Sequence, residues 1–479
     1  MGETFFQPLS HLDASVLALE SPTTHMHVAA VAIFEANALS DGKGGIDLDR
    51  IRAHIEGKLQ YIPRYRQRLA YVPVTRAPVW IDDQQFDLDF HLRYVRLPHP
   101  GSDDQLRRMA GRIVSQKLDR SRPMWELWLV EGLARDRFAV IAKIHHCMID
   151  GVAGVDLTTI LLNVVPTSDI EPAAPWEPRP APTGTDLAVT SAARTTRRIF
   201  DLMTSWREIS TRGSEIAAAM AGRAQAAFES LGSGWLTSAS RTPLNPDLGL
   251  NRRFDGVELS LDRVKTVRRK TGGSINDLVL TIATGAIRRY LLERGFKLKG
   301  VEFRAMVPVS TRSAAEPGSM GNQVAMWLVN LPVSEPDPLT RLDTIRKETT
   351  RLKDDNHALG AATLVDLSRG TPIPLIYFAN RVVGPKMRPF NITITNVPGP
   401  QFPMYLLEAR MLSNYPMVPL WSQHGLSLAL FSYDGKLLWG ILADYDAIPD
   451  TGRVTHAIEE AFSELEAAVA PDEQGSPVG

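Results

Sequence analysis

The pair His145-His146, with Asp150 four residues beyond the second histidine and Gly151 beside it, is the part of this chain best equipped for chemistry. A neutral imidazole is the side chain best suited to lift a proton from a hydroxyl or an amine near neutral pH. The pattern, HHxxxDG, lies between a strand-like run, Phe138 to Ile144, and a helix-like run that begins near Val152. A histidine where a strand ends can turn its ring into a channel, and pleat geometry sends its neighbour to the opposite face. Gly151 lets the backbone turn sharply into the helix that follows. Asp150 suggests an acid that orients an imidazole, as in a Ser-His-Asp triad. Cys147, beside the histidines, suggests an acylated nucleophile. A zinc site built from His145, His146 and Asp150 is disfavoured, because adjacent strand histidines diverge and catalytic zinc needs three convergent ligands. No metal is expected.

These residues need a scaffold, and the 479-residue length is enough for two domains of ordinary size. The 44% hydrophobic content is that of a globular protein, and a formal charge of −1 offers no basic field to attract nucleic acid. A single cysteine excludes an intramolecular disulfide and any cysteine-rich metal site, as suits a reducing compartment. The first residues lack the basic and then apolar order of a secretory signal, and no apolar run approaches the roughly 18 residues of a spanning helix. A cytoplasmic setting is expected, with any contact to membrane or lipid droplet peripheral.

Six prolines between Pro166 and Pro182 mark an extended connector. Before it, residues 1–165 alternate strands and helices: helices from Leu48 to Leu59 and Asp104 to Leu118, strands from Phe90 to Leu97, Leu127 to Val130 and Phe138 to Ile144. Residues 166–250 form the connector and a crossover. Within it, the stretch from Asp186 to Ser238 has apolar residues at helical spacing with Arg194, Arg197, Arg198, Arg207 and Arg212 among them, a pattern that suits either a domain crossing or a lipid surface. Residues 251–470 read as a second α/β half. It has a strand from Phe254 to Leu259, a helix from Asp262 to Lys270 broken at Gly272-Gly273, and a long helix from Ile275 capped by Ser274. Further strands run from Phe303 to Val309 and Phe390 to Thr395, and a hairpin turns at Asp434-Gly435. The tail, 471–479, is expected to be disordered. The fold class is α/β.

HHxxxDG resembles the active-site motif of the superfamily that contains chloramphenicol acetyltransferase, plant hydroxycinnamoyl-type acyltransferases and peptide-synthetase condensation domains. Other blocks narrow the resemblance to bacterial wax ester synthase/acyl-CoA:diacylglycerol acyltransferases. They are Pro8 to Ser15, Thr24 to His27, Asp119 to Glu126 (with Met124 where leucine is usual), Ser274 to Asp277, Gly321 to Gln323 and Thr395 to Pro400, in the family order. The resemblance implies two chloramphenicol-acetyltransferase-like α/β sandwich domains joined by a crossover, with the active site in a channel between them. It implies an O-acyltransferase that moves a long-chain acyl group from acyl-CoA, a co-substrate rather than a bound cofactor, onto diacylglycerol or a fatty alcohol.

The resemblance also distributes roles. His146 is the general base, which passes the alcohol proton to the departing thiolate without an acyl-enzyme. His145 supports it. Asp150 is similar to an aspartate that pairs with a distant arginine, here Arg312, and holds the loop in shape. Cys147 falls in the variable part of the motif. Asn276, near a helix N-terminus, is a candidate oxyanion donor or a cap. Asn396 could line the channel or serve a turn. The remaining alternatives are a carrier-protein thioester donor, another acceptor such as a polyketide diol, or a non-catalytic lipid-surface protein.

Overall fold

The structure is a computed structural model that describes residues 5–73, 75–148, 160–189, 237–310, 324–359 and 388–469. The expected helical crossover lies largely outside the described residues, as do Asp150, Gly151, Arg312, the 321–323 block and the tail.

In chain order the strands are β1 (Gln7–Pro8), β2 (His27–Glu35), β3 (Gln67–Tyr71), β4 (Pro78–Asp82), β5 (Leu92–Arg96), β6 (Trp125–Leu133), β7 (Arg137–His145), β8 (Arg252–Ser260), β9 (Phe303–Ser310), β10 (Val324–Leu331), β11 (Ile392–Pro398), β12 (Tyr405–Leu406), β13 (Ala409–Met417), β14 (Leu426–Tyr433) and β15 (Lys436–Asp444). The helices are α1 (His11–Leu19), α2 (Leu48–Lys58), α3 (Asp103–Ser115), α4 (Leu261–Thr271), α5 (Ile275–Glu293), α6 (Pro338–Leu359) and α7 (Thr451–Ala468).

Two six-stranded sheets organise the chain. The first has the order β12-β13-β2-β7-β6-β5 and the second β10-β9-β11-β14-β15-β8, while β1-β4-β3 form a small third sheet. One face of the first sheet packs on α3 through Leu106, Ala110, Ile113 and Val114. Its other face packs on α1, α2 and the small sheet around Leu17, Ile55, Trp80 and Trp125. The second sheet is covered by α5 and α7, with Trp439 and Phe462 in its core. Alternating strands and helices in layers are the α/β architecture expected of the sequence.

Local signals explain several elements. Ser274 caps α5 in a capping box: its hydroxyl accepts from the Asp277 amide at 3.2 Å and its amide donates to the Asp277 carboxylate at 2.7 Å. The helix is then buried on nearly every side from Asp277 to Ile287, as suits an apolar helix at the centre of a domain. Asp434 and Gly435, with φ of 45° and 79°, make the tight turn between β14 and β15.

One expectation needs correction. The sequence reading grouped all of 251–470 in one half, but β12 and β13 belong to the sheet of the other: β13 runs antiparallel to β2, with Tyr415 opposite Val31. The reason is topological. β11 and β14 are parallel neighbours and need a crossover between them, and the chain makes it by lending β12 and β13 to the first sheet.

The proline-rich segment is extended as expected, but it is bound along the first half. Arg179 grips the buried Asp82 with two guanidinium nitrogens, both at 2.8 Å. Trp176 sits edge-on to Phe86, and Glu171 accepts from Gln60 at 2.9 Å.

Candidate active site

Strand β7, in the interior of the first sheet, ends at His145, and His146 to Met148 form a single 3-10 turn. Both histidines are fixed through the backbone. The His145 amide donates to the Met124 carbonyl at 2.9 Å and the His146 amide to the Met26 carbonyl at 2.8 Å. Three separate sequence blocks therefore converge here. Residues 119–126 supply Met124, residues 24–27 supply Met26 and His27, and Ser10 of the first block caps α1 through the Asp13 amide at 3.1 Å, seating that helix beneath the turn. His27 lies opposite His145 in the ladder.

The two rings have different environments. His145 is 1% exposed, and its pKa is pushed down to about 3 by burial and, after that, by the neighbouring Arg120 cation. It is a neutral ring. Its Nδ1 lies 3.0 Å from the Cys147 sulfur and accepts the Cys147 amide at 3.3 Å. Burial pushes the Cys147 thiol well above its usual range, so the sulfur keeps its proton and donates it to Nδ1. The His145 proton then sits on Nε2, 4.0 Å from the Glu20 carboxylate. Glu20 is itself paired with Arg120. This chain, running from the partly exposed Arg120 through Glu20 to the buried His145 and Cys147, positions the first histidine.

His146 reaches solvent, yet protein crowds it closely enough for desolvation to lower its pKa below 6.5. The ring is thus open to solvent on one side and backed by protein on the other. A base there is neutral and accessible near pH 7.

Asn276 and Asn396 lie in the other half. Capping of α5 is done by Ser274 and Asp277, and Asn276 makes no side-chain hydrogen bond among the described residues. Asn396 is not in a turn. It is in β11, opposite Leu430 of β14, because the parallel ladder carries the strand on to Pro398 before the Gly-Pro stop. Among the described residues no group of three His, Cys, Asp or Glu side chains could hold a metal ion, and no helix is long and apolar enough to cross a membrane.

Sequence reasoning missed Glu20 and Arg120 as partners. Both positions are unremarkable locally, and only the charge of Glu20 directly after an apolar helix hinted at a buried partner.

Residues 9–279 match the catalytic-domain model of the wax ester synthase/diacylglycerol acyltransferases, and residues 320–466 match the C-terminal-domain model of the same proteins. The chain belongs to this family. It is 32% identical over 461 residues to a probable diacylglycerol O-acyltransferase of Mycobacterium tuberculosis, covering 95% of each chain. A second probable diacylglycerol O-acyltransferase of that organism is 31% identical over 463 residues, covering 95% of this chain and 98% of the other. Among solved structures, the wax ester synthase/diacylglycerol acyltransferase of Marinobacter aquaeolei shares the fold with a TM-score of 0.70 at 24% identity, covering 97% of this chain and 99% of that one. The first condensation domain of the calcium-dependent antibiotic synthetase shares it at 0.56 and 13% identity, covering 99% and 100% of the chains. The two-domain α/β architecture common to these acyltransferases and condensation domains is the fold expected from the sequence.

Proposed function

We propose that this acyltransferase moves a long-chain acyl group from acyl-CoA to the hydroxyl of a lipid alcohol, either diacylglycerol, giving triacylglycerol, or a long-chain alcohol, giving a wax ester. Family membership supports the donor and acceptor classes. The observation that carries the mechanism is the accessible, desolvated His146 at the end of β7, held by the Met26 carbonyl.

His146 takes the alcohol proton as the oxygen attacks the thioester carbonyl. The carbonyl electrons move onto oxygen, and Asn276 or Asn396 offers an amide to that oxyanion. As the carbon–sulfur bond breaks, the electron pair leaves with sulfur, and His146 returns the proton to it. The products are an ester and free CoA thiol, with no acyl-enzyme. The thiol of Cys147, buried and committed to His145, suits this direct route. Asp150, paired with Arg312, would hold the loop after the turn rather than complete a triad.

The test is a panel of purified acyl-CoA donors with diacylglycerol and long-chain alcohols, comparing the wild type with His146→Ala. Turnover is expected to fall about 10²- to 10⁴-fold in the variant, the usual contribution of a general base. Absence of wild-type turnover with every CoA donor, or full activity in the variant, would sink the proposal.

A further inference from the structure

Between the two halves lies a cation-lined cavity of about 440 Å³ that proton transfer does not use. The last turn of α3 gives it Arg112 and the segment just after the helix Lys117, the loop before β2 gives it His25, and the second half contributes Asn251, Arg252 and Tyr445. Its lining holds no carboxylate. Arg252 is committed to the scaffold: it donates to the Gly249 and Asn251 carbonyls at 2.8 and 2.9 Å and to that of Thr23, and lies 3.5 Å from Asp444. Arg112 and Lys117 are exposed and have no acidic partner among the described residues. Two cations thus stand on one lining with no acidic partner among the described residues.

The end of a helix would ordinarily repel an anion. Here its carbonyls are already occupied. Lys143, buried inside the sheet, donates to Ile113 and Gln116 at 3.1 Å each, the His27 Nε2 lies 2.8 Å from the Val114 oxygen, and the Ser115 hydroxyl donates to Gly111 at 2.7 Å. The cavity comes near the reaction centre along the backbone, since His25 on its lining immediately precedes Met26, whose carbonyl accepts the His146 amide at 2.8 Å. A ligand with phosphates at one end, a thioester at the other and a flexible arm between them would span both.

We propose that this cavity binds the phosphates of the acyl-CoA donor, with Arg112 and Lys117 as the residues that pair with them. The inference rests on the reading of acyl-CoA as donor. A phosphate could also belong to a lipid headgroup, so the experiment separates the two sources.

Binding of CoA, dephospho-CoA and pantetheine to the full chain is measured by calorimetry for the wild type, Arg112→Ala, Lys117→Ala and the double variant. Sedimentation with phosphatidylglycerol and phosphatidylcholine vesicles accompanies it. CoA affinity is expected to fall about tenfold for each cation removed, the worth of one charge-assisted contact, and the advantage of CoA over pantetheine is expected to shrink by the same factor. Equal weakening of CoA and pantetheine, no weakening at all, or loss of anionic-vesicle binding with CoA binding intact would overturn the proposal. Turnover is read separately. A wild type that binds CoA through these cations yet esterifies nothing would refute the proposed function and leave the pocket standing, whereas normal turnover with no phosphate discrimination would refute the pocket alone.

Discussion

The His146 amide donates to the Met26 carbonyl at 2.8 Å, so the proposed base is anchored to the segment that enters β2 rather than only to its own strand. Its position depends on the register of β2 against β7, where His27 faces His145. A one-residue slip would reverse every side chain of the strand, and the buried apolar faces on both sides of the sheet forbid it.

Desolvation lowers the His146 pKa below 6.5, so the ring remains an unprotonated base at pH values where a free histidine is charged. Activity should be lost as pH falls through this lowered value. The acid limb of kcat/KM is therefore expected below pH 6.5, and a limb at or above it would contradict the assignment. Stability follows the same sign. His145, held near 3, is neutral in the fold, whereas the unfolded chain takes up its proton below 6.5. Its contribution is fully present above pH 6.5 and is lost between there and about 3. Urea midpoints measured from pH 7.5 down to pH 5 should decline, and a flat profile would argue against a neutral buried ring.

Cys147→Ala separates direct transfer from an acyl-enzyme. Removing a nucleophile costs activity on the order of a millionfold, whereas removing a buried sulfur that only meets the His145 ring should lower kcat by less than about tenfold and stability by about 1 kcal/mol. Steady-state kinetics and a urea melt read both quantities.

The Arg179 grip on Asp82 fixes the proline-rich strap. In Arg179→Ala the carboxylate of Asp82, 3% exposed, keeps Gln67 as a partner at 3.0 Å but loses its cation. The strap should loosen, and limited proteolysis between residues 166 and 182 should quicken several-fold. An unchanged cleavage pattern would mean that Trp176 and Glu171 hold the strap without the ion pair.

Gly440 sits where β15 passes under β13. A Cβ there would stand 1.7 Å from the Pro416 carbonyl oxygen, a backbone atom that cannot swing aside. Gly440→Ala should cost about 3 kcal/mol or more, readable as a lowered denaturation midpoint, while the exposed Gly452 should accept alanine freely.

Much of this was legible in the sequence because it was encoded locally. The Ser274 cap, the Asp434-Gly435 turn, α2, α3 and the strands β6 and β7 each carry their own periodicity or stop signal within a short window. The blocks around the histidines were legible as blocks, but not as one cluster. That Met26, Arg120 and Met124 meet around the pair depends on pairings between distant segments, which no local pattern reports. Strand β13 was invisible for the same reason: its alternation declares a strand and says nothing about which sheet it joins. The turn alternative for Asn396 rests on the composition of Asn-Val-Pro-Gly-Pro, whereas the β14 ladder keeps the residue extended.

The loan of β12 and β13 changes how the halves can move. Each sheet holds chain that is covalently continuous with the other, like two pages stitched through a common thread, and Pro416 lies locked over Gly440. A hinge that swung the halves wide apart would have to stretch both connections that lead into and out of this pair and part Pro416 from Gly440. Thermal unfolding should therefore take both halves together in one cooperative step.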